Sequence, residues 1–162
     1  LCSSLESIVI PEGVKSIPVA FSHCERLKHV SFSTVSAPEV PFTFGIEGAD
    51  QVPVKLPSRL SRIDEEAFSF CHSLEEIDIP EGVRSIDPAA FEGCISLRKV
   101  TLPSTLREIG DYAFFGCNEL ASIEIPDGVE EIGDNAFGRC PKLKDVHIPA
   151  SVKMIGENAF DK

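Results

Sequence analysis

Six cysteines, at positions 2, 24, 71, 94, 117 and 140, are the residues of this chain best equipped for chemistry. They could form disulfides, hold a metal as thiolates, or supply a nucleophile. Four histidines, His23, His29, His72 and His147, could add metal ligands or a general base. Aspartate and glutamate number 26 against 15 lysines and arginines, for a formal charge of −11, so carboxylate pairs for acid–base work exist by count.

Spacing removes most of these options. There is no C-x-x-C, no Cys/His group at ligand spacing and no D-x-D-x-D-G calcium loop. No nucleophile set or phosphate loop stands out either, so the chain reads as non-enzymatic, with no cofactor and no metal. The cysteines instead close a recurring element. Ala20-Phe21, Ala67-Phe68, Ala90-Phe91, Ala113-Phe114 and Ala136-Phe137 each lead to a cysteine three residues after the phenylalanine, and Ala159-Phe160 lies where the chain ends. Cys71, Cys94, Cys117 and Cys140 are 23 residues apart, Cys2 and Cys24 are 22 apart, and Cys24 and Cys71 are 47 apart. A fixed period of this size is the mark of a solenoid.

Written on that period the chain repeats L-x-x-I-x-I-P-x-x-V-x-x-I-x-x-x-A-F-x-x-C-x-x. Copies starting at Leu74, Leu97, Leu120 and Leu143 are the clearest; the Leu5 copy is one residue short between Ile17 and Ala20. The I-x-I spacing places two apolar residues on one face of a strand. The proline that follows lacks the amide a ladder needs, and ends it. V-x-x-I runs along a second side, and A-F-x-x-C returns the chain, with alanine allowing close approach and phenylalanine filling the centre. One coil cannot bury this apolar set; stacked coils can. About seven coils at the spacing of parallel strands would make a rod or shallow arc roughly 34 Å long.

The pattern closely resembles the BspA-like leucine-rich repeat, also called the Treponema pallidum type, over essentially the whole chain. Six Ala-Phe pairs and six strand-ending prolines (Pro11, Pro57, Pro80, Pro103, Pro126, Pro149) carry the resemblance. It implies one α/β-type solenoid over residues 1–162, with a parallel sheet on the concave face and short strands or turns and irregular or 3-10 segments elsewhere. It also implies kinship with large secreted or surface proteins of host-associated anaerobes and some parasitic protists, where known roles are adhesion or binding to host proteins. The expected location is therefore the cell surface or outside the cell. The expected function is protein interaction or adhesion, with a spacer lacking its own ligand as the alternative.

The main departure is the stretch from Ser33 to Gln51, with Pro38, Pro41, Gly45 and Gly48. It reads as one degenerate coil; the alternative is a single coil carrying a 24-residue loop, so a degenerate coil or insertion is expected at about 33–55. Phe42, Phe44 and Ile46 make this stretch a secondary candidate for binding. Both termini fall mid-repeat, which reads as a piece of a longer protein.

On the repeat, the cysteines become one column of parallel side chains. Neighbouring coils hold their Cβ atoms about a strand spacing apart, beyond the ~3.5–4.5 Å a disulfide requires. They are expected as buried thiols acting as small hydrophobes. The histidines fall in different coils and are expected on the surface. Net acidity argues against nucleic acid, and no apolar run approaches the ~20 residues of a membrane span.

Function is then sought where the columns do not repeat. The third and fifth positions of L-x-x-I-x-I point outward on the expected concave sheet. Their occupants are Ser7 and Val9, His29 and Ser31, Pro53 and Lys55, Glu76 and Asp78, Lys99 and Thr101, Ser122 and Glu124, Asp145 and His147. These are the expected contacts to a protein or glycan partner, such as a host extracellular protein.

Overall fold

The computed structural model describes residues 4–11, 13–33 and 60–162. Six short parallel strands line one side: β1 (Ser7–Ile10), β2 (His29–Phe32), β4 (Glu76–Asp78), β6 (Lys99–Thr101), β8 (Ser122–Glu124) and β10 (Asp145–His147). Five two-residue strands line a second side: β3 (Arg62–Ile63), β5 (Ser85–Ile86), β7 (Glu108–Ile109), β9 (Glu131–Ile132) and β11 (Met154–Ile155). The first side is paired as two runs, β1-β2-β4-β6 and β8-β10, and the second as one, and register is kept within each. Val30 pairs with Ile77 and Ile77 with Val100 on the first; Ile63, Ile86, Ile109, Ile132 and Ile155 follow one another on the second. β8 lies against β6 and pairs with β10.

The strands are short because proline stops them. After each strand, Val83, Leu106, Val129 and Val152 donate their amides to the carbonyls of Pro80, Pro103, Pro126 and Pro149, closing a turn. Those four residues then point into the core, from fully buried Val83 to the more open Val152 of the last coil.

The third side replaces the α/β expectation. Among the described residues there is no helix; the Ala-Phe-x-x-Cys segments are consecutive turns. Their amides alternate in direction. Ala67 N, Ser69 N and Cys71 N bond within their own coil, to Asp64 O, Glu66 O and Phe68 O, whereas Phe68 N and Phe70 N reach the next coil, at Ala90 O and Glu92 O. A helix cannot form under that alternation, because it needs every amide to point along one axis. Two left-handed residues per coil produce it: Glu66, Ala89, Tyr112, Asn135 and Asn158 before the alanine, and His23, Phe70, Gly93, Gly116 and Arg139 before the cysteine, all with φ between 52° and 71°.

The interior is a set of columns. Phe21, Phe68, Phe91, Phe114, Phe137 and Phe160 stack with centroids 5.5, 5.4, 5.2, 5.3 and 5.3 Å apart and planes within 8° of parallel. The coil spacing enforces this parallel stack, which aromatic pairs accept when the rings are offset. Around it lie Leu27, Leu74, Leu97 and Leu120, the isoleucines of both sheets and the alanines.

β2 and β4 are direct neighbours, with His29 opposite Glu76, and Phe21 stacks directly on Phe68. Residues 34–59, which include Phe42, Phe44 and Ile46 and all but the first residue of the degenerate coil or insertion expected at about 33–55, lie outside the described residues.

Candidate functional site

The outward columns of the first sheet come out as their alternation requires. Ser7, Val9, His29, Ser31, Glu76, Asp78, Lys99, Thr101, Ser122, Glu124, Asp145 and His147 are all exposed, while their strand neighbours Val30, Ile77, Val100 and Ile123 are buried. Lys55 lies outside the described residues. Strand pairing sets the columns side by side: His29 beside Glu76, Glu76 beside Lys99, Asp78 beside Thr101, Ser122 beside Asp145, and Glu124 beside His147. Thr101 Oγ1 donates to Asp78 Oδ1, and Arg98 from the flank reaches Glu76 at 3.6 Å and Glu75 more closely. Among the described residues of these columns four carboxylates (Glu76, Asp78, Glu124, Asp145) stand against one ammonium (Lys99), a formal −3 with the histidines counted as neutral. It is a polar, two-signed surface.

The cysteine column is interior. Cys24, Cys71, Cys94, Cys117 and Cys140 are buried thiols. The sequence reading missed that the sulfurs are hydrogen-bonded. Cys71, Cys94, Cys117 and Cys140 donate to the carbonyls of Phe21, Phe68, Phe91 and Phe114 in the preceding coil, at 3.1, 3.2, 3.4 and 3.2 Å. Burial pushes the Cys94 and Cys117 thiols well above the ordinary thiol range, and Cys140, nearer the end of the stack, up to about 11. Such thiols stay protonated at neutral pH, the form that is a poor nucleophile and a poor metal ligand.

The histidines divide. His29 and His147 are on the first sheet as expected. His23 and His72, read as flanking separate cysteines, meet at Phe70: His23 stacks on its ring at 5.0 Å and His72 abuts it edge-on at 6.1 Å. Phe70 in turn covers Gly93, where a Cβ would lie 2.5 Å from the ring. Phe115 plays the same part over Gly138, with Arg139 above its face at 5.4 Å and Tyr112 at its edge. Among the described residues no three His, Cys, Asp or Glu side chains converge as a metal site would require, and no helix is long and apolar enough to cross a membrane.

Exposed ion pairs join successive coils: Arg26 to Glu6 at 2.6 Å, Lys142 to Glu119 at 2.6 Å and Lys153 to Glu130 at 2.6 Å. Lys28 and Arg26 hold the Glu6 carboxyl below its usual range, and Lys153 does so for Glu130. Exposed pairs of this kind contribute little to stability.

The family model described as "BspA type Leucine rich repeat region (6 copies)" matches residues 1–39 and 48–162. A leucine-rich repeat protein of T. pallidum, solved by crystallography, is 31% identical with a TM-score of 0.75, over 96% of this chain and 62% of that one. One from Bacteroides ovatus is 26% identical with a TM-score of 0.62, over 96% of this chain and 40% of that one. The pneumococcal vaccine antigen PcpA, 20% identical with a TM-score of 0.56 over 98% of this chain and 56% of that one, shares the fold. The chain thus spans less than two thirds of the length of each. A comparison with curated proteins finds no match.

Proposed function

This chain belongs to the BspA-type leucine-rich repeat family, and from that premise we propose that it is a non-enzymatic binding segment of a surface or secreted protein. Its partner, a protein or glycan outside the cell, is engaged through the outward columns of the first sheet, the face expected to be concave. Repeat proteins of this kind characteristically bind other proteins, over extended surfaces rather than in pockets. One observation carries the reading. Every repeating column is taken up by packing or by coil-to-coil hydrogen bonds, whereas the first-sheet columns are exposed and change occupant at each coil. Placement outside the cell rests on the family.

The partner would meet charged and hydrogen-bonding groups in fixed register, the opposite charges of Glu76 and Lys99 side by side and Glu124 beside the His147 imidazole. Such an arrangement favours specificity and fast association over raw affinity. The test is to probe arrays of extracellular proteins and glycans with this chain, then with the triple variant Glu76→Lys, Asp78→Lys, Lys99→Glu. Any ligand bound through this face should lose at least about tenfold in affinity. Ligands indifferent to the triple reversal would remove the first sheet from the proposal, and an array without a single ligand would favour the spacer.

A further inference from the structure

The first coil is one residue short at one place. Pro18 and Val19 alone separate Ile17 from Ala20, whereas Asp64, Glu65 and Glu66 separate Ile63 from Ala67. Where full-length coils meet, as at Gly110, the preceding coil presses so close that a Cβ would lie 2.8 Å from Pro88 N. Beside the shortened coil there is instead a cavity of about 410 Å³, lined by Ser16, Pro18, Val19, Arg62, Asp64, Glu65 and Asp87.

Its chemistry is unbalanced. Asp64, only 9% exposed, accepts from Arg62 Nε at 2.6 Å through Oδ1, but its Oδ2 is buried with no hydrogen-bond partner. A buried acceptor left without a donor costs free energy, which a donor recovers if the Asp64 carboxylate turns to meet it. Arg62 is also divided, with Nη1 3.7 Å from Asp87 Oδ2. Three carboxylates and one guanidinium leave the lining at a formal −2.

We propose that this cavity is a binding site for the cationic end of a lysine or arginine side chain presented by a partner protein. The incoming ammonium or guanidinium donates to Asp64 and Asp87, relieving the shared Arg62. Pro18 and Val19, the latter 56% exposed, line the aliphatic stem. A divalent metal suits the site less well, because Arg62 already sets a positive charge against Asp64 and too few oxygens converge. The site lies beside β3 on the second side, so it stands or falls independently of the first sheet.

The experiment titrates the ¹⁵N-labelled chain with N-acetyl-lysinamide, with the neutral N-acetyl-norleucinamide and calcium chloride as separate arms. Lysinamide should shift the amides of Ser16, Val19, Arg62 and Glu65, and the other two should not. Asp64→Asn should weaken binding about tenfold. Glu65→Gln, at an exposed position that leaves the fold alone, should weaken it by less, about threefold. Inserting one glycine between Pro18 and Val19 restores the repeat length and should abolish the response. An equal response to norleucinamide, a stronger one to calcium, no response at all, or unchanged affinity in both Glu65→Gln and the insertion variant would each overturn the proposal.

Discussion

The Cys94 thiol donates to the carbonyl of Phe68, one coil back, at 3.2 Å. The turn segment around Phe68 sends its own amide forward to Ala90 O at 2.8 Å. Each Ala-Phe-x-x-Cys segment is thus tied to its neighbour by main chain in one direction and by sulfur in the other. The cysteine recurs along the stack for a physical reason: it is small, apolar enough to bury, and able to add a second donor to a carbonyl that already accepts one amide within its own turn, as Phe68 O accepts Cys71 N at 3.2 Å.

That arrangement predicts inert thiols. In the native protein, Cys24, Cys71, Cys94 and Cys117 should resist a thiol reagent at pH 8, and Cys140, at about 11, should react first among the buried set. Denaturation without reductant should expose all of them at once. Because native thiols hold their protons more tightly than unfolded ones, stability is fully present below the ordinary thiol pKa of about 8.5 and is lost as pH rises above it. Alkaline urea titrations read this directly; stability that is flat from pH 8 to 10 would contradict it.

Phe114 sits between Phe91 and Phe137 at 5.2 and 5.3 Å. Phe114→Ala should cost about 3–5 kcal/mol, as for other fully buried aromatics. Phe160→Ala, at the end of the stack and only partly buried, should cost clearly less. Denaturant midpoints for the two variants provide the comparison.

Gly133 is required by proximity. A Cβ there would lie 2.6 Å from Asp111 N, a backbone atom of the preceding coil. Gly133→Ala should cost about 1–3 kcal/mol by overpacking. At Gly13, nothing lies within 4 Å of the added carbon. Gly13→Ala should therefore stay within about 0.5 kcal/mol, and thermal melts separate the two cases.

Partial burial, and then repulsion from Glu66, raise the Glu92 carboxyl above its ordinary range. The native state then binds this proton more tightly than the unfolded chain does. Its contribution is favourable at acid pH and is lost as pH rises through the raised value. Glu92→Gln should stabilise the protein at pH 7 by up to about 0.5 kcal/mol and lose that advantage below the carboxylate range. A gain that persists at acid pH would rule out this electrostatic origin.

What could be read from the sequence followed from repetition. Pro80, Ile86, Ala90, Phe91 and Cys94 recur at fixed offsets because each must match the same neighbour one coil away, so a single chain displays its own core. The exposure of Glu76, Asp78 and Lys99 followed from strand alternation. Residues that bend the backbone left no such trace. The left-handed position before the alanine is Glu66, Ala89, Tyr112, Asn135 or Asn158, five occupants of four types. It follows the coil-to-coil hydrogen bonds and not one side-chain preference. The sequence therefore allowed the turns that were expected there but carried no warning that, among the described residues, the helical share of an α/β-type solenoid would be absent.

By itself the sequence determined the period, the core columns, the thiol character of the cysteines and the outward columns, all of which depend on spacing along the chain. The tertiary structure decided which coils touch. It set His29 beside Glu76 across a 47-residue separation, gathered His23 and His72 around Phe70, and left Asp64 beside a cavity where one residue is missing from the neighbouring coil. Those relationships depend on stacking register between segments far apart in sequence, and a linear pattern carries register only where its period is unbroken.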